Sequence, residues 1–394
     1  MKLQLVQPRY VLPIAAWLST LAPSRLEACF WDKDTLAHEQ RLAPGVLKVI
    51  AGDFPRRSPL LYQLRAQWRT KQLREAGYAW LLEPAQEGDV ERSLSPQALR
   101  WTDDLAVALD RLERRDEGLK LLKSLLPHYP KRYETLANLG TLLIHSGAYE
   151  EGLAQLERAL ELNPQAHFGR ERIQVALVRY IIRDQSRSGP LYPLSKRCLT
   201  NPKLPVMSDP WLKGLPEARW EGQLARPKRG SAPVYIEPGG GDWMCMVMPS
   251  AQPKEGCRGF CAALKRLEIS PKEGLKGVLG MMRFSDHRHP ALLEALGDLL
   301  LAKGYKGPNR LAAMAYLQAS RATGLDQQAR RGYEALAALS LVGHRFGLKE
   351  LDETLQKQLK RAARLSAKIA RDEERWSRRG ERYLERSYQR RYLR

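Results

Sequence analysis

The sequence predicts a mainly α-helical chain built from helical hairpins, with a small β-hairpin in a loop-rich middle and a long basic C-terminal helix. Three observations carry that expectation. Apolar residues recur at helical spacing on both sides of the middle, a stretch between residues 99 and 166 repeats itself, and strand-like text is confined to residues 233–250. Hydrophobic residues make up 43% and charged residues 28% of 394, a globular balance that excludes wholesale disorder. The net charge of +21 bears on partners and solubility, not on fold.

Residues 1–28 read as an export signal. Lys2 and Arg9 precede an apolar run from Tyr10 to Pro23, and small residues follow before Cys29. The run is shorter than the about 20 residues that span a bilayer. Leu26-Glu27-Ala28-Cys29 resembles a bacterial lipoprotein signal, which implies Cys29 as a lipidated residue and a place in the periplasm or envelope. The alternative is a buried N-terminal helix in a cytoplasmic protein, against which Pro13 and Pro23 count. With Cys29 lipidated, Cys198, Cys245, Cys257 and Cys261 remain for two disulfides, with three connectivities open, or stay as buried thiols.

From residue 29 to 98 the spacing predicts a helical hairpin. Leu36, Leu42, Val46, Leu47 and Ile50 mark one helix stopped by Gly52-Asp53-Phe54-Pro55, and Leu60, Leu61, Leu64 and Trp68 open the next. Residues 99–166 then repeat with a period of 34. Leu105 falls on Leu139, Leu109 on Leu143, Gly118 on Gly152, Leu122 on Leu156 and Pro130 on Pro164. Each unit reads as two amphipathic helices, with Gly140 and Gly152 allowing close approach and Gly147 making a turn. These two units resemble tetratricopeptide repeats. The resemblance implies an α-solenoid that mediates protein–protein contacts through a groove lined by the first helix of each unit. By position those groove residues are Arg100, Asp103, Val107, Asp110 and Arg111, then Glu134, Ala137, Thr141, Ile144 and His145. Asp103, Val107 and Ala137 stand where carboxylate-gripping members carry Lys and Asn, so that activity is not implied.

Residues 167–258 hold one helix, a Pro/Gly-rich connection and the β-hairpin around Pro238-Gly239-Gly240-Gly241-Asp242. Helices resume over 259–347. There Leu296, Gly297, Leu300, Gly304, Ala312, Tyr316 and Ala319 resemble a Sel1-like repeat, a longer-looped relative of the same family. Residues 348–394 hold no proline and read as one helix with an apolar seam at Leu355, Ala362, Ile369, Trp376 and Tyr383. From Lys357 onward fourteen Lys and Arg face five Asp and Glu, so this tail carries +9 of the total.

The candidate contacts of the tail to an anionic partner are Arg371, Arg375, Arg378, Arg382, Arg386, Arg390 and Arg394, with Tyr388 and Tyr392 beside them. Arg with interleaved Tyr suits phosphates and bases, and the same charge suits anionic lipid or an acidic polymer; a solvated helix face is the plain alternative. Met244, Met246 and Met248 share one face of a strand in a pattern that suits Cu(I), but core filling explains them better. Asp286, His287 and His289 read as the turn before a helix, not as metal ligands. No catalytic residue, metal or cofactor is expected. The function expected is a non-enzymatic scaffold in the cell envelope that binds a protein partner. The alternatives are a nucleic-acid or ribonucleoprotein component using the tail, and an enzyme or its accessory around Cys245, His287 and His289.

Overall fold

A computed structural model describes residues 44–83, 93–165, 169–183, 185–186, 189–190, 192–194, 259–302, 306–341 and 347–393. The described chain is mainly helical, as expected. Its helices are α1 (Val46–Ala51), α2 (Pro59–Glu75), α3 (Pro96–Arg111), α4 (Arg115–Leu125), α5 (Tyr133–Ser146), α6 (Tyr149–Leu162) and α7 (Arg170–Arg183). After the middle come α8 (Phe260–Lys265), α9 (Pro271–Phe284), α10 (Pro290–Leu301), α11 (Lys306–Ser320), α12 (Gln327–Leu339), α13 (Leu348–Ser377) and α14 (Glu381–Tyr392). The expected β-hairpin at 233–250 lies outside the described residues. A two-residue antiparallel ladder, Gln185–Ser186 on Gly189–Pro190, follows α7.

Local chemistry sets the helix ends. Ser95 caps α3 by accepting from the Ala98 N–H, and Pro96 occupies the first turn where its missing N–H costs nothing. Ser270 and Glu273 form a reciprocal capping box on α9. Gly147, at φ 89°, ends α5 in the left-handed region. The α5–α6 pair is held at backbone contact. A Cβ on Gly152 would stand 2.8 Å from the Gly140 carbonyl oxygen, so only glycine permits this approach.

From α2 to α7 each helix packs on the next in sequence, and α3 also packs on α5. The same order runs from α9 to α12, with α8 and α9 against α7 joining the two groups. One large core spans α1 and α5 to α13, and a second lies between α2 and α5.

Two expectations about organisation are corrected. Leu36 and Leu42 of the expected N-terminal hairpin lie outside the described residues; among the described ones α2 packs chiefly on α3 rather than on α1, while α1 sits against α9, α11 and α13. The reason is burial, since Val49, Ile50 and Ala51 leave no apolar face on α1 for α2 once the later helices enclose them. Nor is the tail one helix. Gly380, at φ 86°, breaks it after Ser377 and lets α14 fold back against α13. Together α13 and α14 close onto α2 through Leu61, Ile369, Trp376, Leu384 and Tyr388.

Candidate interaction surface

The ten groove positions fall mostly inside the fold. Asp103, Val107, Asp110, Ala137, Thr141, Ile144 and His145 are buried, Arg111 and Glu134 are half-buried, and Arg100 is exposed. Most of their polar groups are engaged within this chain. Arg132 grips Asp103 with both guanidinium nitrogens, at 3.0 and 2.6 Å, and Asn138 Nδ2 donates to it at 3.3 Å. His145 Nδ1 donates to Asp110 at 2.9 Å, and Arg115 adds a bond at 3.2 Å. Thr141 accepts from Gln174 Nε2 at 3.1 Å, and Arg111 donates to the Phe284 carbonyl. The physical reason is that a buried carboxylate must find a partner, and here the neighbouring helix supplies it.

Those bonds form a ladder that the sequence pattern did not announce. Arg69 to Asp104, Asp103 to Asn138 and Asp110 to His145 are each 35 residues apart, and Tyr133 to Glu171 and Thr141 to Gln174 continue the series into α7. Helices α2, α3, α5 and α7 are thereby tied in succession by polar side chains. Burial pushes the Asp103 carboxyl up to about 6 despite Arg132. Burial acts the same way on Asp110, but His145, Arg111 and Arg115 outweigh it and hold that carboxyl below the usual range.

The tail sorts its charges by side. Glu373 is fully buried; it accepts from Arg57 at 3.3 Å and from the Ser58 N–H at 2.8 Å. Glu385 takes Arg57 and Arg65, the latter at 3.2 Å, and Glu381 takes Arg69 at 2.5 Å. Asp372 holds the Tyr392 hydroxyl at 2.5 Å and Arg391 at 3.2 Å. Of the five tail acids only Glu374 is exposed, where it meets Arg378 at 3.5 Å. The cations point outward: Lys357, Lys360, Arg361, Arg364, Lys368, Arg371, Arg375 and Arg378 are exposed along α13, as are Arg382, Arg386 and Arg390 on α14. At 100° per residue the α13 set occupies a strip about 100° wide and about 32 Å long.

The tyrosines are not on that strip. Tyr388 is fully buried, with the Arg57 guanidinium 3.6 Å from its ring centre, and Tyr392 is half-buried against Tyr388 and Trp376. The expected pairing of exposed Arg with stacking Tyr therefore does not occur, because both rings fill the seam against α2 and α13. Sequence reasoning missed Arg57, Arg65 and Arg69, the partners of the tail's acids. The signal was present in the acids, since Glu373 lies opposite Arg371 and Arg375 on a helical wheel.

His289 caps α10 by accepting from the Ala291 N–H at 3.3 Å, as expected of a turn. His287 is buried; its Nδ1 accepts from Arg56 at 2.9 Å and Phe54 meets its ring edge-on. Burial, then Arg56, pushes its imidazole down to about 3. Cys261 is half-buried on α8, its thiol 3.7 Å from the Asp298 carbonyl. Cys29, Cys198, Cys245, Cys257, the three strand methionines and Arg394 lie outside the described residues. Among the described helices none is long and apolar enough to cross a membrane. Compared with protein-family models and with curated proteins, the chain matches none.

Proposed function

We propose that this chain is a non-enzymatic helical-repeat scaffold, with hairpins of the tetratricopeptide and Sel1-like kind, that presents α13 and α14 to an anionic partner at the cell envelope. The observation that carries this is the one-sided charge of the tail. From Lys357 to Leu393 thirteen Lys and Arg are exposed against the single acid Glu374. A plain solvated helix face would mix both signs. Here Glu373, Glu381 and Glu385 turn to the inner seam and Asp372 is buried, leaving an outer field of predominantly one sign that attracts polyanions. The strip between α3 and α5 is filled by its own side chains, which favours an outer surface over the groove as the place of contact.

The test is retention of the full chain on immobilised heparin, a generic polyanion, with elution by salt. The triple variant R364Q/K368Q/R371Q should elute at clearly lower salt than the parent. The control K120Q/K123Q/K131Q removes the same charge from exposed sites on and after α4 and should shift elution much less. Equal shifts would mean that net charge alone binds, and the ridge would have no special standing.

A further inference from the structure

We propose that the anionic partner is a lipid bilayer, to which the cationic ridge binds by headgroup charge alone; this rests on the reading of α13–α14 as an anion-binding face. Ten of the thirteen exposed cations are Arg, whose planar fork matches phosphate oxygens. Base stacking, by contrast, needs exposed rings, and Tyr388 and Tyr392 are turned into the seam while Tyr383 lies under Arg379 at 3.8 Å. That distribution favours a surface of phosphates over single-stranded nucleic acid.

Helix α1 packs on α13, and Asp53 just beyond it accepts from Gln358 at 2.5 Å and meets Arg361 at 3.1 Å. The sequence that holds the apolar run Tyr10–Pro23 and Cys29 therefore joins the fold beside the ridge. From Cys29 to Pro44 the chain can reach at most about 50 Å, more than the length of the α13 strip. An apolar or lipid anchor at that end would hold the ridge within reach of the same membrane.

Among the described residues Leu162, on α6, is the one exposed large hydrophobic side chain, at 44%. The ridge offers nothing to insert, so contact through it is electrostatic and released by salt.

The experiment is co-sedimentation of the full chain with phosphatidylglycerol-containing vesicles, with pure phosphatidylcholine vesicles, and a parallel titration of a DNA duplex. Expected is binding to the anionic vesicles that weakens as salt rises. It should fall about a hundredfold in R364Q/K368Q/R371Q and in R382Q/R386Q/R390Q, which corresponds to about 1 kcal/mol per charge near the surface. These six side chains are exposed, and unchanged thermal unfolding of each variant shows that the fold survives. Equal binding to both vesicle types, or indifference to the substitutions, overturns the lipid proposal. Tighter binding to the duplex with the same sensitivity also overturns it but leaves the anionic-partner reading standing. Failure to bind heparin, duplex or anionic vesicles sinks both.

Discussion

At the scale of single residues, this protein's polar groups are buried in pairs whose partners lie far off in sequence. Arg57 meets Glu373 and Glu385 across more than 300 positions, and Arg69 joins Asp104 on the next helix to Glu381 at the end of the chain. Such pairs add little net stability beside an apolar seam, but removing one partner strands a buried charge, so they fix which surfaces meet. His287 is the more informative case because its charge can change. In the fold its imidazole titrates at about 3, held down by burial and by Arg56, with Arg288 acting the same way and Asp286 against it. In the unfolded chain it titrates at about 6.5. The folded state therefore binds fewer protons between those values, and its stability is full above pH 6.5 and is lost as pH falls towards 3. Asp103 works the other way: with a folded value of about 6 against about 3.9 unfolded, it gains stability as pH falls through that window. Comparing the parent with His287→Asn isolates the histidine, since asparagine keeps an acceptor for Arg56. Urea unfolding at pH 6.5 and pH 5 should show the parent losing about 2 kcal/mol more than the variant. Parallel pH curves would mean that His287 is charged in the fold.

At the scale of elements, the two helix pairs α3–α4 and α5–α6 were legible because small residues at fixed offsets mark where helices touch. Gly140 and Gly152 are the clearest example, their backbones in contact in the fold. The test is Gly152→Ala, whose Cβ would meet the Gly140 carbonyl at 2.8 Å and Ile144 Cγ1 at 2.6 Å. Overpacking of this kind costs about 1–3 kcal/mol. Gly347→Ala, with open space around its Cβ and an ordinary φ of −89°, should be nearly neutral in the same thermal melts. Equal effects would mean that α5 and α6 can part without loss. The break at Gly380 was less legible. A lone glycine costs a helix only about 1 kcal/mol, so a strong helical pattern runs through it on paper. What ends α13 is tertiary: Trp376, Leu384 and Tyr388 gain a common core with Leu61 only if the chain turns there. The groove failed to appear as an open surface for the same kind of reason. Periodicity reports which face of α3 and α5 is inner, but not whether the inner face is left for a partner or filled by polar ladders to α2 and α7.

At the scale of the molecule, the ends of the described chain are fastened together, and this separates two views of the tail. As a solvated basic extension, α14 could be removed without consequence for the rest. In the fold it covers Leu61 and Trp68 with Leu384, Tyr388 and Leu393, and it supplies Glu381 and Glu385 to the buried Arg69 and Arg65. Deleting residues 381–394 should therefore weaken α2 and α3, more than 250 positions away, rather than only the C-terminal region. Each large apolar side chain withdrawn from that seam is worth about 1.5–3 kcal/mol; Arg65 also loses Glu385, and Arg69 keeps only the Asp104 counter-charge. The expected result is a lower thermal midpoint and new proteolytic cleavage near Pro59–Glu75, read by mass spectrometry of the fragments. Cleavage confined to residues after Leu348, with an unchanged midpoint, would show that α14 is an appendage. The same deletion removes Arg382, Arg386 and Arg390, so a loss of vesicle binding by the truncated chain would be ambiguous on its own. Only the glutamine variants, which keep the seam and change the outer charge, separate the part of the tail that closes the fold from the part that meets a partner.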